Sequence, residues 1–184
     1  MSSGCKVNDS GTNIVSEVMA EELISPFPLF RLCAWDAAKA MVLFYKLKNE
    51  PLYLPDEQRN YADIWKIIHH NFGWDENHSL CLPYEIGDFD GVLVFQDIVK
   101  NDGCGMMLKF WGKQLWGADG ARQAKGLIDL IMDKFNLKTI HIVTADKGAV
   151  KLGKLFGFKV KEIKKKSFQW DGVKHDRFYL EKGR

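Results

Sequence analysis

The chain has 184 residues, enough for one domain with a short arm. Its apolar content of 46% and charged content of 27% exclude a disordered or low-complexity polypeptide. With 26 basic against 24 acidic residues, the net charge of +2 calls for neither a nucleic acid nor an anionic membrane as partner, and no apolar run is long enough for a membrane span. The four cysteines, Cys5, Cys33, Cys81 and Cys104, stand apart with no C-x-x-C pair. Together with the absence of a visible signal sequence, they predict reduced thiols in a cytoplasmic protein.

Residues 1–13 are small and polar and predict a flexible arm; the remaining 14–184 are expected to form one domain. Residues 14–24 fit a short strand or a short helix equally well. A helix is predicted over 36–47, with Trp35, Ala38, Met41, Val42 and Tyr45 at helical spacing on its apolar stripe. Pro51 and Pro55 break the chain, and Asp56 and Glu57 place negative charge where a second helix should begin. That helix is predicted to reach about Asn71 and to bury Tyr61, Ile64, Trp65 and Ile68. Gly73 and the polar run 75–78 predict a turn. Strands over 79–86, 91–99 and 104–111 follow. The connections between them end in Asp90-Gly91 and Asp102-Gly103, the turn chemistry of an antiparallel meander.

The stretch 117–158 is the most informative. Gly117-Ala118-Asp119-Gly120 reads as a glycine-punctuated turn. Ala124, Leu127, Ile128, Ile131 and Phe135 then repeat at i, i+3, i+4, i+7 and i+11, one apolar stripe of a helix. Asn136 suits a left-handed cap. Residues 139–144 are β-branched and apolar and predict a buried strand. Asp146 can cap a second helix, which runs to the glycine before Phe158. Ile128, Ile131, Phe135, Leu155 and Phe158 are expected in the core. Strands over 159–170 and 173–181 meet at Asp171-Gly172, a two-residue hairpin signal. The whole is an α+β fold built on a mixed, mostly antiparallel sheet.

From about Gly91 onward these elements resemble the GNAT superfamily of acyl-CoA N-acyltransferases. The order matches, and Leu155-Phe156-Gly157-Phe158 is similar to the family's apolar-Gly-Phe signature. The tail, with Trp170-Asp171-Gly172, His175-Asp176 and Tyr179-Leu180, resembles the branch that acetylates protein N-termini and GNAT-like proteins encoded by phages. The resemblance implies a central parallel strand pair, 104–111 beside 139–144, diverging at one end to admit the pantetheine arm of acetyl-CoA. It implies cofactor contacts at Gly117, Ala118, Gly120, Ala121 and Arg122, and a strand N–H group that polarises the thioester. An amine then attacks directly in a ternary complex. The acceptor is an amine-bearing small molecule, a protein N-terminus or a lysine, and the protein is cytoplasmic, or virion-associated if phage-encoded.

The chain departs from the family at three points. The phosphate loop R/Q-x-x-G-x-G/A falls on Leu115-Trp116-Gly117-Ala118-Asp119-Gly120, so Leu115 replaces the basic or amide residue (Gln114 is one position off) and Ala118 replaces the first glycine. Asp146-Lys147-Gly148 stands where the family has an asparagine. The general-acid tyrosine falls on Gly153. Asp119 adds a carboxylate beside the expected pyrophosphate, which Arg122 and Lys125 either offset or merely accompany as a solvated face.

Asp97, Glu85 and His141 are the candidates for a general base on the predicted strands. Each is equally readable as an ordinary strand residue. His69 and His70 suggest metal, but adjacent helical residues point about 100° apart, and no metal site is expected. Trp111 and Trp116 flank the loop and form either a wall or a plug of the groove. Residues 159–184 carry nine basic and four acidic side chains, so the terminal hairpin is a candidate surface for an acidic protein partner. Two readings stay open: an acetyl-CoA-dependent N-acyltransferase, or a relative that keeps the fold as a structural or binding module.

Overall fold

The computed structural model describes residues 25–33, 36–49, 52, 54–71, 80–110, 112 and 117–184. The expected arm, the undecided stretch 14–24, Trp35, Pro51, the turn at 73–78, Trp111, Gln114, Leu115 and Trp116 lie outside the described residues.

Strand β1 (Phe30–Leu32) precedes helices α1 (Ala37–Asn49) and α2 (Tyr61–Asn71), which are separated by a 3-10 turn, Asp56–Gln58. The meander β2 (Leu82–Ile86), β3 (Gly91–Gln96) and β4 (Gly103–Phe110) follows, as the Asp-Gly connections predict. Helix α3 (Ala118–Lys134) leads to β5 (Thr139–Thr144), which lies parallel to β4. Helix α4 (Lys147–Leu155) leads to the hairpin β6 (Lys159–Trp170) and β7 (Val173–Gly183). The single seven-stranded sheet runs β1-β2-β3-β4-β5-β7-β6, so β7 sits antiparallel between β5 and the edge strand β6. At the hairpin tip Asp171 and Gly172 both have positive φ, 47° and 74°, as a twisted two-residue turn requires.

Side-chain alternation along β3 explains the layering. Leu93 and Phe95 face α3 in one core, and Val92 and Val94 face α1 and α2 in another. With both faces covered, β3 is a continuous apolar run. On the α3 side the predicted stripe holds: Ala124, Leu127, Ile128, Ile131 and Phe135 are buried, and Asn136 takes the left-handed cap at φ 50°. Asp146 caps α4 by accepting from the N–H groups of Gly148 and Ala149.

Five expectations are corrected. First, α1 buries Ala40, Leu43, Phe44 and Leu47, whereas Met41, Val42 and Tyr45 are exposed. This helix is apolar nearly all round, so packing rather than periodicity selects its inner face. Second, Asp56 and Glu57 begin only the 3-10 turn. The helix proper starts at Tyr61, where the Asn60 side chain accepts from the Asp63 N–H, and Tyr61 is 71% exposed. Third, Leu155 points to solvent and Phe156 takes its place in the core. Fourth, β5 is covered on one face only: Ile140 is buried, but His141 and Val143 open to solvent because α1 and α2 reach no farther than β4. Fifth, the strands are trimmed, with β2 starting at Leu82 and β3 ending at Gln96, which leaves Asp97 just beyond a strand.

Candidate active site

The parallel ladder between β4 and β5 has three rungs: Gly103↔Thr139, Cys104↔Ile140 and Gly105↔His141. A side chain at Gly103 would place its Cβ 2.9 Å from the Thr139 carbonyl oxygen, so glycine permits the close approach at this end. Past the third rung the strands continue to Phe110 and Thr144 without pairing to each other. The result is the diverging pair expected from the sequence, with its vertex at Gly105 and His141.

The N-terminus of α3 belongs to the open end of this cleft, because the helix starts where the chain leaves β4 and runs back to the start of β5. Its first turn differs from the predicted glycine turn. Gly117 is the N-cap, and Ala118, Asp119 and Gly120 are already helical. Gly117 offers no side-chain cap, so the first-turn N–H groups keep their donor capacity for an anion or solvent. Gly120 is buried, Ala121 is half-buried, and Gly117, Ala118 and Arg122 are exposed. Asp119 is held within the turn: it accepts from Gln123 at 2.7 Å and lies 3.5 Å from the Arg122 guanidinium. Arg122 is thus partly engaged by its own helix.

The three candidate bases fall in three different places. Glu85 is buried on β2 and neutralised by Lys39 at 2.5 Å and Arg31 at 3.2 Å, which makes it structural. Burial pushes the neighbouring Cys33 thiol up to about 12, despite Lys39 nearby, so this thiol is inert. Asp97 pairs with His70 at 3.0 Å, just beyond the end of β3. His141 alone lies at the vertex, on the uncovered face of β5. Its Nε2 is 3.0 Å from Thr139 Oγ1, and its Nδ1 is 3.8 Å from Glu181. Glu181 in turn holds Lys161 at 2.8 Å, a hydrogen bond that draws its carboxyl below the usual range.

A side chain cannot easily be added at Gly153. Its Cβ would lie 3.0 Å from Leu180 Cδ2, so the site of the family's tyrosine is filled from β7. Tyr179 instead lies across from Val143 on the open face, with Lys164 Nζ 4.7 Å from its ring centroid.

Sequence reasoning missed a cavity of about 190 Å3 beside the open end of β5. It is lined by Pro55, Gln58, Val143, Thr144, Phe168 and Arg177. Its two walls are fastened together at the hairpin tip. Asp56 accepts from the N–H groups of Asp171 at 2.8 Å and Gly172 at 3.0 Å, and Arg59 binds Asp171 at 2.7 Å while lying 5.3 Å from the Trp170 ring centroid. Only the Asp171-Gly172 dipeptide hinted at this; nothing in the sequence tied it to Asp56. The structure also gathers His70, Cys81 and Asp97 within 4.8 Å of one another, from three separate segments.

No family model matches the sequence, and no curated protein matches it. Solved structures do share its fold. One is spermidine N-acetyltransferase from Vibrio cholerae in complex with CoA and spermine, 13% identical with a TM-score of 0.64, covering 84% of this chain and 95% of that one. A second is the microcin C7 self-immunity acetyltransferase MccE in complex with acetyl-CoA and AMP, 17% identical with a TM-score of 0.62, covering 85% and 93%. A third, from Salmonella typhimurium, modifies the N-terminal serine of ribosomal protein L7/L12; it is 16% identical with a TM-score of 0.62, covering 85% and 96%. The fold is therefore that of the GNAT superfamily, as the sequence resemblance implies. Among the described residues no helix is long and apolar enough to cross a membrane.

Proposed function

We propose that this protein is an acyl-CoA-dependent N-acyltransferase that moves an acetyl group from acetyl-CoA to an amine. The observation that carries this reading is the cleft between β4 and β5, which opens past Gly105 and His141 toward the uncapped N-terminus of α3. The solved structures of the same fold whose descriptions include CoA or acetyl-CoA support it. Backbone N–H groups over Gly117, Ala118, Gly120 and Ala121 would hold the pyrophosphate, with Arg122 beside them. The unpaired edge of β4 beyond Gly105 supplies an N–H group for the thioester carbonyl. Acetyl-CoA brings an activated acyl group; the chain's task is to orient it and to take a proton from the attacking amine. His141 is the base we assign, because it is the only one of the three candidates at the vertex, with the Glu181 carboxylate 3.8 Å from its Nδ1.

The cavity beside Val143 and Thr144 suits the acceptor. Among the described residues Arg177 lines it and no carboxylate does, so we favour an acceptor that carries a peptide carbonyl or carboxylate, such as a protein N-terminus, over a polyamine. A second reading, a GNAT-fold binding module, is favoured by Asp119. Its carboxylate stands at the helix start and engages Arg122, which works against a phosphate ligand.

One titration separates the two readings. An enzyme is stabilised by acetyl-CoA by about 2.7 kcal/mol at a hundredfold excess over Kd. Arg122→Ala weakens that binding while leaving the free protein's melting point unchanged. His141→Gln lowers kcat with an N-terminal peptide acceptor but keeps acetyl-CoA affinity. A melting curve unmoved by millimolar acetyl-CoA would reject the enzyme and leave the binding module.

A further inference from the structure

The end of α2, the segment before β2 and the residue after β3 converge on one side of the sheet. His70 comes from the last turn of α2, Cys81 from just before Leu82, and Asp97 from just after Gln96. Their nitrogen, sulfur and oxygen donor atoms all lie within 4.8 Å of one another. His70 Nε2 is already 3.0 Å from one Asp97 oxygen and 3.3 Å from the other. The three side chains are half-buried, half-buried and exposed, so a small ion can reach them.

Contacts outside the cluster hold it from both sides. The Ile98 N–H donates to the Leu80 carbonyl at 2.9 Å, which ties the residues next to Asp97 and Cys81 together. The Gln96 side chain donates to buried Asn71, which ties the residues next to Asp97 and His70. The donors are therefore positioned without help from an ion. An open cavity of about 380 Å3 adjoins His70, lined by Lys66, Ile67, His70, Asn71 and Gln96.

We propose that His70, Cys81 and Asp97 form a three-ligand site for a zinc-class divalent cation, with a fourth position open to this cavity. The donor set selects the metal. A thiolate is a poor ligand for calcium or magnesium, whereas one imidazole, one thiolate and one carboxylate suit zinc and its spectroscopic substitute cobalt. In tetrahedral geometry such donors stand about 3.3–3.6 Å apart, so the thiol must approach by up to roughly 1 Å while His70 and Asp97 part by a few tenths of an ångström, within the reach of side-chain rotation. Cys81 binds as thiolate and releases its proton to solvent. The ion would fasten α2 to β2 and β3 at the paired end of the β4–β5 cleft, since Gln96 opposes Gly105. Its role there is to fix the closed end. Helical spacing conceals such a site, because the ligands are 11 and 16 positions apart and come from three separate segments.

The test is a Co2+ titration of the full chain, reduced and freed of metal by chelation. We expect saturation at one equivalent, with a thiolate-to-cobalt charge-transfer band in the near ultraviolet that Zn2+ abolishes. Cys81→Ser should remove the band, while Cys33→Ser leaves it unchanged. His70→Gln and Asp97→Asn should each weaken Co2+ binding by more than about a hundredfold, the upper loss that removing an outer-shell partner causes. Absence of the band in the unaltered protein overturns the proposal, whatever the variants do. A band that survives Cys81→Ser, or affinity indifferent to both His70→Gln and Asp97→Asn, overturns it as well. Activity is not the readout, so the outcome does not depend on the acyltransferase reading.

Discussion

Asp56 occupies a position where sequence reasoning expects an ordinary helix start, yet its carboxylate binds the tip of a hairpin 115 positions away. The N–H groups of Gly172 and then Asp171, together with Arg59, hold its carboxyl below the usual carboxylate range. A lowered folded-state pKa contributes stability above the group's ordinary value, and that contribution is lost as the pH falls through the folded value. Asp56→Ala should therefore lower the urea midpoint at neutral pH, and the gap from the unaltered protein should close below about pH 4. A gap of constant size across that range would show that the charge plays no part. Single residues were also where the sequence was least legible. His141 could be named as a candidate base, but its place at the vertex is a property of the ladder with β4. Likewise Arg177 and Phe168 carry no local signature of a cavity, because the other wall comes from Pro55 and Gln58.

Among the elements, the buried face of α3 was legible and that of α1 was not, for one physical reason. The α3 stripe alternates with charge and glycine, so only one face can be buried. Ile131 is fully buried on it, and Ile131→Ala should cost about 2–5 kcal/mol in a urea unfolding experiment. A loss within error would mean that the helix does not pack where the structure places it. On α1 the set Met41, Val42 and Tyr45 is as apolar as Leu43, Phe44 and Leu47, and only contact with Val92 and Val94 on the sheet decides between them. Strand β5 shows the same effect in reverse. Its composition reads as doubly buried, but among the described residues no helix covers its outer face. The hairpin, by contrast, was fully specified by Asp171-Gly172, since few dipeptides accept two positive φ angles in sequence.

At the scale of the molecule, the sheet is covered unevenly. β3 has helices on both faces and paired strands on both edges, whereas β6 is an edge strand with a long run of exposed residues and two register shifts. Hydrogen exchange should follow this pattern. Amides of β3 should open only with global unfolding, and those of β6 should exchange through local opening. Equal protection in both strands would contradict the layering. The fastening of the hairpin to the 3-10 turn bears on how ligands enter. A cavity assembled from chain segments so distant in sequence would ordinarily give up conformational freedom when a guest arrives, and affinity would fall accordingly. Here Asp56 and Arg59 have already fixed the distance between the walls. A guest beside Arg177 meets a rigid vessel, and its binding entropy is spared the ordering of two loops. Releasing the tip at Asp56 should therefore weaken binding at Arg177 even though Asp56 does not line the cavity.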